Sequence, residues 1–199
     1  MDYSADIAGR TIEFFDAEHL YLVDGVMVPS ITEIVSWKFH RKYAGIPAAT
    51  LSKAAAAGTA VHEAIDRWCK DGVDTDLPEL RGFKWLQKQY GFDVVDGEKP
   101  VILFRNGEPV AAGRYDMTLR MDGKLGGADI KRTSVLDKDY LAYQLNLYRI
   151  AYRQSYGAEW EFLRALHLRE DKRKFVEIPV AEDMAWELID KYLEKGTSK

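Results

Sequence analysis

An α/β or α+β domain built on one central mixed β-sheet flanked by helices is the fold class this sequence predicts. Three observations lead there. Strand patterns cluster between Lys99 and Arg132 around Asp122-Gly123, a strong short-range hairpin signal. A long helical pattern follows over about Asp137–Tyr156, with two more strands and a last helix after it, an order that places helices on the faces of a sheet. The 199 residues contain no internal repeat, low-complexity linker or composition break, so a single domain, 1–199, is expected.

Taken in order, "HLYLVDGVMVPS" alternates around Asp24-Gly25 and reads as a hairpin. Ser30 is placed to cap a short helix through Trp37, with Glu33 three residues on completing a capping box. "WKFHRKYAG" is basic and aromatic. "PAATLSKAAAAGTAVHEAIDRWCKDG" is rich in strong helix formers and ends at Gly72. "PELRGFKWLQKQYG" reads as a second helix closed by Gly91. Strands are expected near Lys99–Arg105, Pro109–Met121 and Lys124–Arg132. The long helix comes next, with Gly157 after it. Strands near Trp160–Leu168 and Lys174–Val180 flank a turn at "REDKRK", and a last helix runs from about Glu182 to Glu194.

The chain is 47% hydrophobic and 30% charged, an ordinary globular balance. Its 28 Lys+Arg and 32 Asp+Glu give a formal charge of -4, so a nucleic-acid partner requires local basic patches rather than bulk charge. Cys69 is the only cysteine, which excludes an internal disulfide and an iron–sulfur cluster and suits a reducing cytoplasm. No apolar run is long enough to span a membrane, and no charged-then-apolar leader is visible, so no membrane partner is expected.

The hairpin at Met121-Asp122-Gly123-Lys124 has a chemical consequence. With a two-residue loop, Met121 opposes Lys124, and the same register sets Asp116 opposite Asp129 with Cβ atoms roughly 5 Å apart. Alternation puts Tyr115, Met117 and Leu119 on one face and Arg114, Asp116 and Thr118 on the other. Gly126-Gly127 is a place where a bulge would shift this register. Two opposed carboxylates persist by sharing a proton, by lying solvated at an edge, or by binding a cation. Arg114 and Lys131 stand nearby as counter-charges.

Three further residues bear on that choice. His62 lies near 100° from the centre of an apolar face made by Val61, Ile65 and Trp68 at ~100° per residue, a position open to packing or to metal ligation. Gln144 falls inside the apolar stripe Leu141, Leu145, Tyr148 and Tyr152, where an uncompensated amide is costly. It either satisfies a core backbone group or lines a polar cleft. Glu98 opens the strand before the one carrying Asp116 and supplies an additional acid.

"GTAVHEAID", "GRYD", "DIK" and "QLNLY", in that order, resemble the PD-(D/E)XK nuclease superfamily, and within it the RecB-type branch that includes phage and recombination exonucleases. The resemblance extends from about His19 to Tyr148. The family's P-D is Tyr115-Asp116 here, and the cysteines of its iron–sulfur members are absent.

The resemblance implies a restriction-endonuclease-like core with Asp116, Asp129 and Lys131 as the catalytic set. It further implies that His62, Asp116, Asp129 and the backbone carbonyl of Ile130 hold one or two Mg²⁺ or Mn²⁺ ions. Gln144 and Tyr148 would position the phosphate backbone or terminal nucleotide. Arg114, Lys53, Arg149 and the "WKFHRK" segment are candidate phosphate contacts. The activity so implied is DNA phosphodiester hydrolysis from ends. An endonuclease of the same fold, a non-catalytic nucleic-acid-binding module and an unrelated α/β scaffold are the rival readings. The branch is compatible with a homo-oligomer or a recombination partner protein, for which this sequence carries no mark.

Overall fold

The computed structural model describes residues 3–40 and 48–197. Arg41 and Lys42 of the basic aromatic segment lie outside the described residues.

The chain begins with four strands that the sequence patterns reveal only in part. β1 (Tyr3–Ile7), β2 (Arg10–Phe15), β3 (Leu20–Val23) and β4 (Val26–Val28) form an antiparallel meander separate from the main sheet. The expectation of one sheet is therefore corrected to two. The β3–β4 hairpin turns at Asp24-Gly25 as expected, both with φ above 50° (51° and 76°). The first hairpin carries a quieter signal, alternating Ile12 and Phe14 after the turn glycine Gly9. The meander leads into α1 (Ile31–Phe39). Ser30 caps it, its Oγ accepting from the Glu33 N–H at 2.9 Å. The reciprocal half of the capping box is not made, because the Glu33 carboxylate accepts instead from the Tyr192 hydroxyl at 2.9 Å.

α2 (Ala48–Asp71) and α3 (Pro78–Tyr90) follow, the latter closed by Gly91 in the left-handed region. The main sheet has the order β5-β6-β7-β8-β9: β5 (Asp93–Arg105), β6 (Glu108–Met121), β7 (Lys124–Lys131), β8 (Phe162–Arg169) and β9 (Lys172–Ile178). All neighbours are antiparallel except β7 and β8, which run parallel. That one parallel pair requires a crossover, supplied by α4 (Lys138–Tyr156). α5 (Glu182–Thr197) completes the chain. This is a mixed sheet flanked by helices, as the sequence predicts. No helix among the described residues is long and apolar enough to cross a membrane.

Three cores touch the main sheet among the described residues, two under the helices and one under the meander through Ile102 and Ala112. Of the two under the helices, α1, α4 and α5 pack on one through Leu145, Leu147, Ile150 and Leu188 against Leu103, Tyr115, Leu163 and Ala165. α2 and α3 pack on the other through Val61, Ile65, Leu80 and Phe83 against Met117, Leu119, Ile130 and Leu166. Trp160 is wholly buried in the first, 4.5 Å from the Tyr152 ring and 5.2 Å from Tyr115, and burying such a side chain stabilises by roughly 2–3 kcal/mol. β5 is an edge strand, and the end of α4 shields it. Ser155 Oγ accepts from the Ile102 N–H at 2.9 Å, and Gln154 bonds both the N–H and the carbonyl of Phe104.

The Asp122-Gly123 turn forms as read, both residues having positive φ, and the ladder runs in the expected register from Met121↔Lys124 to Met117↔Ala128. No bulge occurs at Gly126-Gly127. These positions are glycine for another reason: a Cβ on Gly126 would stand 2.2 Å from the Phe162 ring, and one on Gly127 would stand 2.1 Å from the Trp160 ring.

Candidate metal centre and cleft

The β6–β7 ladder stops one rung short of Asp116 and Asp129. Asp116 Oδ2 instead accepts a hydrogen bond from the Ile130 backbone N–H at 2.7 Å, so a carboxylate does the work of the next rung's carbonyl. The alternation expected along β6 breaks at the same point. Tyr115 packs in the α4 core, whereas Met117 and Leu119 pack in the α2–α3 core. The single-face grouping of Tyr115, Met117 and Leu119 is thus corrected: the strand changes faces at Asp116.

This change brings Asp116 to α2. His62 Nδ1 lies 3.7 Å from Asp116 Oδ2 and 3.8 Å from Glu98 Oε1, and one ligand atom from each of His62, Glu98 and Asp116 lies within 4.8 Å of the others. Donors held by one ion at about 2.0–2.6 Å stand up to about 5 Å apart, so the triangle has the size of a one-ion site. His62 Nε2 is 3.2 Å from the Ile130 carbonyl oxygen, a contact that orients the ring so that Nδ1 faces the two acids. The Asp116 charge, and after it the contact with Glu98, raise the His62 pKa to about 9 against the opposing effect of burial. Without a cation the imidazole is therefore protonated and takes the cation's place among the acids.

Glu98 reaches the triangle from a strained backbone. Its φ is 54°, a conformation costing a non-glycine residue of order 1–3 kcal/mol. Gly97 beside it lies so close to β6 that a Cβ would meet the Asp116 carbonyl oxygen at 2.6 Å. Glu98 also forms an ion pair with Arg114, Nε standing 2.8 Å from Oε2.

Asp129 departs from its expected place as a ligand. It is 3% exposed and lies outside the three-residue cluster. Lys131 Nζ stands 2.7 Å from its Oδ1 and 2.6 Å from its Oδ2. Burial pushes the Asp129 carboxyl up to about 6, against the pull of the Lys131 charge. Glu98 occupies the place in the triangle that the resemblance gives to Asp129. The reason is the ladder break, which turns Asp116 toward α2 while Asp129 keeps its regular place in β7.

His62, Glu98, Asp116 and Lys131 border a cleft of about 1870 Å³. Lys53, Arg114, Lys131, Gln144 and Tyr148 all line it. Gln144 is only 7% exposed, and its Oε1 has no hydrogen-bond partner among the described residues, which favours the cleft reading over the core-amide reading. Tyr148 packs its ring on Gly113, where a Cβ would stand 2.9 Å from it. Arg149 is corrected. It lies on another side of α4, donating from Nε to the Trp160 carbonyl at 2.8 Å and pairing with Glu159 and Glu182. Five residues after Gln144, it is rotated about 140° around the helix.

The meander supplies a wall that the sequence patterns did not indicate. Phe14, Asp16, His19 and Tyr21 line the cleft, Phe14 and Tyr21 with ring centroids 4.5 Å apart. Arg114 lies 5.9 Å over Phe14 and links this wall to Glu98.

Among known proteins, no family model matches the chain, and no curated protein sequence matches it. Among solved structures, the chain is similar to the crystal structure of SSO0001, with a TM-score of 0.47 and 16% identity over 86% of this chain and 77% of that one.

Proposed function

We propose that this protein is a divalent-metal-dependent deoxyribonuclease with a restriction-endonuclease-like core, acting on DNA from its ends. The observation that supports it most is that the His62–Glu98–Asp116 triangle and Lys131, whose ammonium is paired with Asp129, line one cleft. One imidazole and two carboxylates, with the Ile130 carbonyl orienting the imidazole, make an oxygen-rich donor set that suits Mg²⁺ or Mn²⁺. Such an ion supplies Lewis acidity and lowers the pKa of water.

The chain's own groups account for the rest. Lys131 lines the cleft with its ammonium fixed by Asp129, and from there Nζ can donate to a phosphate oxygen or orient the attacking water. Asp129 holds that ammonium in place. Gln144 offers an unused amide oxygen to a sugar or base edge, and the Tyr148 ring walls the same side. Arg114 and Lys53 face the cleft as phosphate contacts.

The test is incubation with end-labelled linear duplex and covalently closed circles, each with Mg²⁺, Mn²⁺ and EDTA. Shortening of linear DNA with metal, and sparing of circles, is expected. Circles nicked as fast as linear DNA is shortened would make the protein an endonuclease. No cleavage of either with either metal would refute the reading.

A further inference from the structure

A row of residues runs from the cleft to the far edge of the sheet. Lys131 pairs with His167 across β7–β8, and His167 pairs with Lys174 across β8–β9. Directly paired residues share a face, and two strand spacings separate Lys131 from Lys174 by about 10 Å. Lys172, Lys174 and Val176 alternate along β9 and line a second cavity of about 360 Å³. Lys138, in the first turn of α4, joins them. Ser134 and Val135 border both this cavity and the cleft, so the two hollows meet at the loop between β7 and α4.

The charge of the second cavity differs from that of the cleft. Among the described residues its lining contains three lysines and no carboxylate. Among the described residues, none of Lys138, Lys172 and Lys174 has an ion pair. The cleft's cations are largely neutralised within the protein: Lys131 by Asp129, Arg114 by Glu98, Lys70 by Asp66 and Arg132 by Glu79. Lys172 Nζ donates to the Ser134 carbonyl at 3.0 Å, which leaves two of its three donors free at the seam. His167, buried beneath, bonds the Thr133 carbonyl at 2.7 Å and pins the same loop. In a chain of net charge -4, three unneutralised ammonium groups around one small hollow repel one another, and a polyanion relieves that repulsion.

We infer that this cavity is a second phosphate-binding groove, which carries the sugar–phosphate backbone of a nucleic-acid strand from the cleft across the Thr133–Leu136 loop onto the β8–β9 hairpin. The inference rests on the nuclease reading and adds where the strand lies beyond the metal centre. Val135, 78% exposed, stands at the crossing.

The test is equilibrium binding of a labelled single-stranded oligonucleotide, in EDTA so that nothing is cut, across a range of salt. The protein is compared with the triple variant Lys138→Gln, Lys172→Gln, Lys174→Gln and with a control that removes the same charge elsewhere, Arg67→Gln, Lys88→Gln, Arg120→Gln. Three lost contacts lower the slope of log K against log salt by about 2 and weaken binding about a hundredfold near 0.1 M salt. The control is expected to keep the wild-type slope, and thermal melts check that both variants fold. If wild type binds and the two triple variants behave alike, the groove is overturned while the nuclease reading stands. If wild type shows no salt-dependent binding at all, the groove is overturned, and the nuclease reading stands or falls on the cleavage test with metal.

Discussion

Asp116 Oδ2 accepts the Ile130 backbone N–H at 2.7 Å where the β6–β7 ladder has already ended. One carboxylate thus closes a gap in the sheet and, 3.7 Å from His62, forms a corner of the candidate metal site. The two roles separate by substitution. Asp116→Asn keeps an oxygen acceptor for Ile130 and is expected to melt near wild type while losing metal-dependent stabilisation. Asp116→Ala orphans a part-buried N–H and is expected to cost a further 1–3 kcal/mol, roughly. Equal melting of the two variants would show that the hydrogen bond does not support the fold.

The buried titrating groups set the pH response of metal-free protein. The folded pKa of Asp129 is raised from 3.8 to about 6, chiefly by burial. Its contribution to stability is therefore full below about 4 and lost as pH rises through 6. The folded pKa of His62 is raised from 6.5 to about 9, chiefly by Asp116, so its contribution is full below 6.5 and lost as pH rises through 9. In EDTA, the stability difference between Asp129→Asn and wild type is expected to grow in the variant's favour between pH 4 and 6. That between His62→Gln and wild type is expected to shift toward the variant between pH 6.5 and 9. Denaturant titrations at stepped pH measure both, and parallel curves would refute the assignments.

Metal uptake follows from the same proton. His62 must lose it to act as a ligand, so Mn²⁺ affinity is expected to climb with pH toward 9, with proton release on binding. Calorimetry in buffers of different ionisation enthalpy reads that release. His62→Ala is expected to abolish it and to shift the Mn²⁺ titration to higher concentration. An unchanged titration would return His62 to a packing role.

Gln144 holds a buried carbonyl oxygen with no hydrogen-bond partner among the described residues. Gln144→Leu removes that desolvated acceptor at similar volume, so it is expected to raise stability by about 1 kcal/mol or leave it unchanged. Activity on DNA is expected to fall while metal binding stays. A loss of stability with full activity would mean that the amide serves the fold.

Arg114 and Arg149 carry the same charge to different ends. Arg149→Ala is expected to destabilise by about 2 kcal/mol, because it strips Glu182 and the Trp160 carbonyl of a shared donor and Glu159 of an ion-pair partner, and to leave DNA affinity unchanged. Arg114→Ala is expected to do the reverse. Paired melting and binding curves decide.

Local chemistry was legible in the sequence where neighbours along the chain determine it. The Asp122-Gly123 turn and its register, the Ser30 cap, the Gly91 stop and the stripe that holds Gln144 against the cleft all depend on a few adjacent residues. Alternation and helical period carry that information directly. The tertiary structure alone decided which acids meet. Glu98 joins His62 because β5 bends through a positive φ at Glu98 and Gly97 lets it press on β6, and Asp129 recedes behind Lys131 because the ladder opens at Asp116. Phe14 and His19 reach the cleft only because the meander is held beside β6, the Ala112 N–H donating to the Pro29 carbonyl at 3.1 Å. These outcomes turn on close packing between segments distant in sequence, where a displacement of about 1 Å decides whether side chains touch, and no pattern of neighbouring residues encodes such a distance.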